Sequence, residues 1–176
     1  MSTIVLITGP AGAGKTTLAM HIAQQPGWTM LSEDVYWGRL PRDPHMLRTD
    51  AEKDVIQAQV AADATAAVHA GRHVAIEFVL YEDPPQPLFF YRQALSSLPG
   101  VTIIPCVLRP TLTTIMARQA QRGNDHDTLL SVEMRHRNAV HQLACVASPS
   151  IPAAWIIDNT ALSAVAVWQQ VCQRTE

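Results

Sequence analysis

Gly9-Pro-Ala-Gly-Ala-Gly-Lys-Thr-Thr17 has the spacing most readily translated into chemistry. Gly9, Gly14, Lys15 and Thr16 fill the fixed positions of G-x-x-x-x-G-K-[ST], directly after the apolar run Ile4 to Ile7. Glycines let the backbone curl closely round a triphosphate. The amides of Gly12, Ala13, Gly14, Lys15 and Thr16 and the start of a following helix can then point at the anion, with Ala11 and Thr17 completing the cradle. Lys15 is expected to reach the β- and γ-phosphates, and the Thr16 hydroxyl to bind Mg²⁺. The stretch predicts a nucleoside triphosphate site.

Acids that follow other apolar runs could act on a triphosphate held there. Ser32-Glu33-Asp34 closes the run that starts at Trp28. Asp34 would face the γ-phosphate and accept a proton from an attacking hydroxyl, so it is the expected base. Glu33 competes for that role, but in an extended chain it points the opposite way. Val74-Ala-Ile-Glu77 is three apolar residues and an acid. A carboxylate at the end of a buried strand is costly unless paired, hydrogen-bonded or near a metal, so Glu77 is expected as the second Mg²⁺ residue. Glu82 and Asp83, beside Pro84, Pro85 and Pro87, read as solvent-exposed.

Cations are the third set. Arg118 and Arg122 share a helix face and precede the polar stretch Gly123-Asn-Asp-His-Asp127, a lid that would neutralise the transferred group. Arg135 and Arg137 cannot both point inwards from one helix. Arg39, Arg42 and Arg48 flank the expected acceptor mouth, where they grip an anion or are solvated. His69 and His73 are four apart, but Gly71 falls between them and weakens a metal reading. Trp28, Tyr36, Trp37 and the Phe89-Phe90-Tyr91 cluster are packing residues or stack on a base or sugar.

These groups require elements to hold them. Short β-branched runs alternate with helical patterns, which predicts a parallel sheet with helices on both faces. Strands are expected at Thr3 to Thr8, Trp28 to Ser32, His73 to Phe78, Val101 to Leu108 and Ala153 to Ile157. Pro105 suggests a bulge or an edge in the fourth. Helices are expected at about Lys15 to Gln24, Asp50 to Gly71, Leu88 to Leu98, Thr111 to Arg122, Leu129 to Ala147 and Leu162 to Gln173. Residues 36–49, with Gly38, Pro41 and Pro44, read as a loop or short helical turn over a mouth. In such sheets ligands sit beyond the carboxyl ends of the strands, where the acids fall.

At 176 residues, 48% hydrophobic and 16% charged, the chain is expected to be one domain, residues 1–176, with a lid at about 118–137. A net charge of −2 gives no electrostatic footprint for nucleic acid and no polybasic membrane patch. The longest apolar runs fall short of a membrane span, and the N-terminus lacks a signal-peptide layout, so a cytoplasmic protein is expected. Cys106, Cys145 and Cys172 read as reduced thiols rather than a disulfide or zinc framework.

Ile4 to Thr17, Leu31 to Trp37, Val74 to Glu77, and Leu108-Arg-Pro-Thr-Leu112 leading to Arg118 and Arg122 together resemble the small P-loop kinases. The chain is similar to the shikimate, gluconate and chloramphenicol phosphotransferase-like group, and its Ser-x-Asp-x-Tyr order to the uridine and nicotinamide riboside kinases. The resemblance implies a P-loop three-layer sandwich with sheet order 2-3-1-4-5, an ATP·Mg²⁺ donor, an acid after strand two that activates an acceptor hydroxyl, and a lid carrying arginines. It also places Asp158, Asn159 and Thr160 near the adenine. Gly123 follows Arg122, unlike the Arg-x-x-x-Arg-Pro of shikimate kinases, so no particular acceptor carries over.

The expected activity is therefore transfer of the γ-phosphoryl group of ATP to a hydroxyl of a small molecule, with Lys15, Asp34, Arg118 and Arg122 as catalytic residues. A nucleoside monophosphate kinase, using Arg39, Arg42 and Arg48, is one alternative. A non-enzymatic ATP-binding switch or module is another, although the chain has no Asn-Lys-x-Asp, and no Asp-x-x-Gly follows strand three.

Overall fold

The computed structural model describes residues 1–40, 49–122 and 130–174. Pro41, Arg42, Pro44, Arg48 and the stretch from Gly123 to Asp127 lie outside them. Five strands form one parallel sheet in the order β2-β3-β1-β4-β5, as the resemblance implies. They are β1 (Ser2–Thr8), β2 (Trp28–Ser32), β3 (His73–Glu77), β4 (Val101–Leu108) and β5 (Ile156–Ile157). Alternation in β1 divides the apolar interior. Ile4 and Leu6 join Val74, Ile76, Leu88, Tyr91 and Val146 on one face, while Val5 and Ile7 join Ala75, Cys106, Leu18 and Val171 on the other.

The helices among the described residues are α1 (Lys15–Ala23), α2 (Glu33–Trp37), α3 (Asp50–His69), α4 (Gln86–Ser96), α5 (Leu112–Arg122), α6 (Val132–Val146) and α7 (Ala164–Cys172). Local chemistry sets several starts. Thr49 and Glu52 form a reciprocal capping box on α3, and Ser131 and Ser163 cap α6 and α7. Helix α4 begins at Gln86, ahead of the expected Leu88, because Pro87 is tolerated in a first turn. No helix of the described residues is long and apolar enough to cross a membrane.

One expectation for the sheet needs correction, and of the two readings of Pro105 the edge holds. Residues Ala153–Trp155 form a 3-10 turn, so β5 holds only two residues. The guanidinium of Arg174 donates to Trp155 O at 3.1 Å and Ile156 O at 3.2 Å, occupying carbonyls that a longer ladder would use. Pro105 makes no bulge: the β1–β4 register runs unbroken from Ser2↔Val101 to Thr8↔Val107, with Pro105 opposite Leu6. It is tolerated because β5 pairs only with Val107 and Leu108, leaving Pro105 on an edge.

Candidate active site

The loop after β1 is shaped by its peptide planes. At Gly9, φ is +142°, and an added Cβ would lie 2.5 Å from Leu108 O, so only glycine fits where the chain leaves β1 against β4. Three loop carbonyls have donors. Pro10 O accepts from Ala13 N at 3.0 Å and Lys15 Nζ at 2.9 Å. Ala11 O accepts from Gln119 Nε2 at 2.9 Å. Ala13 O accepts from Arg118 Nη1 at 3.0 Å and Asn159 Nδ2 at 2.7 Å. Gly14 caps α1 in the left-handed region, φ +95°.

Lys15, 6% exposed, is the cation of this loop. Burial pushes its ammonium down to about 8, partly offset by the charges of Glu77 and Asp34, while Arg122 pushes it further down. Glu77, Asp34 and Arg122 therefore all act on the Lys15 charge.

Glu77 ends β3 as a 3% exposed carboxylate. It accepts the Ser32 hydroxyl at 2.5 Å and the Thr16 hydroxyl at 3.2 and 3.3 Å. Pairing of Ser32 with Glu77 and of Ile7 with Glu77 brings the ends of β1, β2 and β3 together. The Glu77 carboxylate and the Thr16 hydroxyl are oxygen donors of the kind that suits Mg²⁺, with the Ser32 hydroxyl bonded behind the carboxylate. Ser32 escaped the sequence reading; the signal for it was a small hydroxyl residue at the last position of a strand beside an acidic pair.

The sequence reading of Glu33 and Asp34 assumed an extended chain. Instead Ser32 is the N-cap of α2, whose first residues are Glu33 and Asp34, and helical geometry replaces strand alternation. Glu33, 8% exposed, accepts the Tyr91 hydroxyl at 2.6 Å. Asp34 is exposed. Tyr36 and Trp37 are 5% and 6% exposed and belong to the apolar core, so neither offers an open face for a base or sugar. The Tyr36 hydroxyl donates to Asp63 at 2.6 Å, and burial with this bond pushes it up to about 12. Arg39 stacks 4.8 Å over the Tyr36 ring. Glu82, expected in solvent, is partly buried and pairs with Lys53 at 2.6 Å, while Asp83 accepts from Ser148.

A cleft of about 380 Å³ runs beside the loop. Its walls include Gly12, Gly14 to Thr17, Arg118, Arg122, Asn159 and, from α7, Val167. Arg118 and Asn159 are therefore brought together with the loop, Arg118 Nη2 also donating to Asn159 O at 3.0 Å. On either side of Asn159, Thr160 donates to Asp158 from its amide at 3.0 Å and its hydroxyl at 2.7 Å. Arg135 is partly buried and Arg137 exposed. His73 accepts from Thr3 N and stacks on Trp28 at 4.9 Å, whereas His69 is exposed, so they do not form a metal pair. Phe90 and Tyr91 pack edge to face at 5.5 Å, and Cys106 and Cys145 are buried free thiols.

A family model, AAA_33, described as an AAA domain, matches residues 4–146. Among solved structures, the chain is similar to the tunicamycin resistance protein of Deinococcus radiodurans (TM-score 0.72, 16% identity, 99% of this chain and 96% of that one). It is similar to shikimate kinase from Acinetobacter baumannii in complex with shikimate (TM-score 0.65, 17% identity, 99% and 93%). A gluconokinase from Sinorhizobium meliloti 1021 also matches (TM-score 0.61, 13% identity, 97% and 89%). At these identities the likeness is one of fold. No curated protein matches the chain in sequence.

Proposed function

The chain belongs to the AAA_33 family, and from that premise we propose that it is an ATP-dependent phosphotransferase acting on a hydroxyl of a small molecule. The observation that carries this reading is the meeting of Thr16, Ser32 and Glu77 beyond the ends of three adjacent strands, next to the buried Lys15, whose ammonium feels the charges of Glu77 and Asp34. Kinase neighbours that take shikimate or gluconate support a small-molecule acceptor.

In this reading the loop amides and Lys15 hold the phosphates, and Lys15 exchanges its bond to Pro10 O for a phosphate oxygen. Thr16 and Glu77 hold Mg²⁺, with Ser32 orienting the Glu77 carboxylate. When bound, the ion supplies positive charge against the phosphate oxygens. Asp34 orients the acceptor hydroxyl and takes its proton, while Arg122, on the cleft wall, offsets charge on the transferred group. Positioning and electrostatics supply most of the rate in this reaction class. Arg118 and Asn159 brace the loop and border the nucleoside.

Thermal-shift titration with ATP, then ATP-consumption assays over nucleosides, sugars, sugar acids and antibiotics, test the reading. Acceptor-dependent ATP consumption by the wild type, lost in Asp34→Asn, is the expected result. An ATP-induced shift without turnover on any acceptor class would favour a binding module.

A further inference from the structure

Gln119 of α5 and Gln142 of α6 are 4% and 1% exposed, and both reach one residue of the phosphate loop. Gln119 Nε2 donates to Ala11 O at 2.9 Å, and Gln142 Oε1 accepts from Ala11 N at 2.7 Å. A buried primary amide is costly unless its hydrogen bonds are made. Here the second atom of each amide, Gln119 Oε1 and Gln142 Nε2, has no hydrogen-bond partner among the described residues. Packing alone would be served better by leucine or methionine. What these side chains supply that an apolar residue cannot is orientation of two consecutive peptide planes.

In a trans peptide the C=O and the next N–H point in opposite directions. Fixing Ala11 O outward, on Gln119, turns Gly12 N–H to the concave side of the loop. Fixing Ala11 N–H outward, on Gln142, turns Pro10 O inward, where Lys15 Nζ meets it at 2.9 Å. We propose that Gln119 and Gln142 are positioning residues for triphosphate binding: Gln119 presents the Gly12 amide to the anion, and Gln142 presents Pro10 O as the resting partner of Lys15. The inference rests on the reading of the loop as an ATP site. It adds that the cradle is set by two helices before any ligand arrives. Presetting amide dipoles removes a reorganisation cost that would otherwise weaken binding.

Isothermal titration of Gln119→Met with ATP and with adenosine tests it. ATP affinity should fall about tenfold, of the size of one neutral hydrogen bond, with adenosine affinity unchanged within twofold. Unchanged ATP affinity, or an equal loss for both ligands, overturns the proposal. Should that variant fail to fold, a glutamate pair decides. Glu at 142 keeps an acceptor for Ala11 N–H, whereas Glu at 119 sets an acceptor against Ala11 O, at a similar distance from the loop. Gln119→Glu must lose much more ATP affinity than Gln142→Glu, and equal losses overturn the proposal. If the wild type binds no ATP, it is the underlying ATP reading that fails instead.

Discussion

Glu77 accepts the Ser32 hydroxyl at 2.5 Å across the β2–β3 ladder, in which the two residues are register partners. The bond holds a buried carboxylate in one rotamer, with its other contact on Thr16. Outer-sphere hydrogen bonds of this type tune metal ligands, and their loss typically costs 10–100-fold in affinity. Ser32→Ala should therefore weaken Mg²⁺ binding to the ATP complex about tenfold, and Glu77→Gln should weaken it more. Titration of Mg²⁺ into the preformed ATP complex checks both. Wild-type Mg²⁺ affinity in Ser32→Ala would detach the serine from the site.

Lys15 makes the site sensitive to alkaline pH. Its ammonium titrates at about 8 because it is buried, against 10.5 for a free lysine. A base with a lowered folded-state pKa is protonated less in the folded protein, so between pH 8 and 10.5 its contribution to stability rises with pH. Triphosphate binding runs the other way, since phosphate oxygens favour the charged form. ATP affinity should be full below pH 8 and fall above it, by up to about tenfold per pH unit. At pH 8.5, calorimetry in buffers of different ionisation enthalpy should show proton uptake on ATP binding. Lys15→Met should show none.

Tyr91 and Glu33 tie α4 to the helix that carries Asp34. Tyr91 is fully buried, and burial first, then the Glu33 charge, raises its hydroxyl above the ordinary tyrosine range, which keeps it the donor to Glu33. Tyr91→Phe removes a donor from a charged acceptor, a loss of about 1.5–3 kcal/mol. Urea denaturation should show a lower midpoint with an unchanged slope. A midpoint equal to wild type would mean that the hydroxyl contributes nothing at this position.

How much of this was legible follows from what each feature depends on. The phosphate loop was, because its chemistry lies in consecutive residues, and so was the sheet, because strands and helices alternate in β-branched and helical patterns. Glu77 stood out because an acid closing an apolar run is costly to bury. The orientation of Glu33 was not legible: strand alternation was extended past Ser32, although α2 starts directly after it, with the Ser32 hydroxyl bonded to Glu77 rather than capping the helix. Tyr36 and Trp37 were open to a ligand-stacking reading because a sequence does not show that α2 turns them into the core against α3. Gln119 and Gln142 carried no local signal at all. Their common partner, Ala11, is more than a hundred residues away and is met only when α5 and α6 pack beside the loop.

Asp34 is the residue whose two roles can be separated by pH. As the proposed base it acts on the acceptor, and as a charge it supports the Lys15 ammonium, less strongly than Glu77 does. Asp34→Asn removes both. Loss of the base should lower turnover by about 10²-fold or more at neutral pH with ATP still bound. Loss of the charge should lower the Lys15 pKa further, so the decline of ATP affinity begins at a lower pH than in wild type. Asp34→Glu keeps the charge and displaces the carboxylate. It should restore the pH profile of ATP binding while leaving turnover impaired. If Asp34→Glu recovers neither, Asp34 acts through the structure of α2; if Asp34→Asn turns over at the wild-type rate, another group takes the proton.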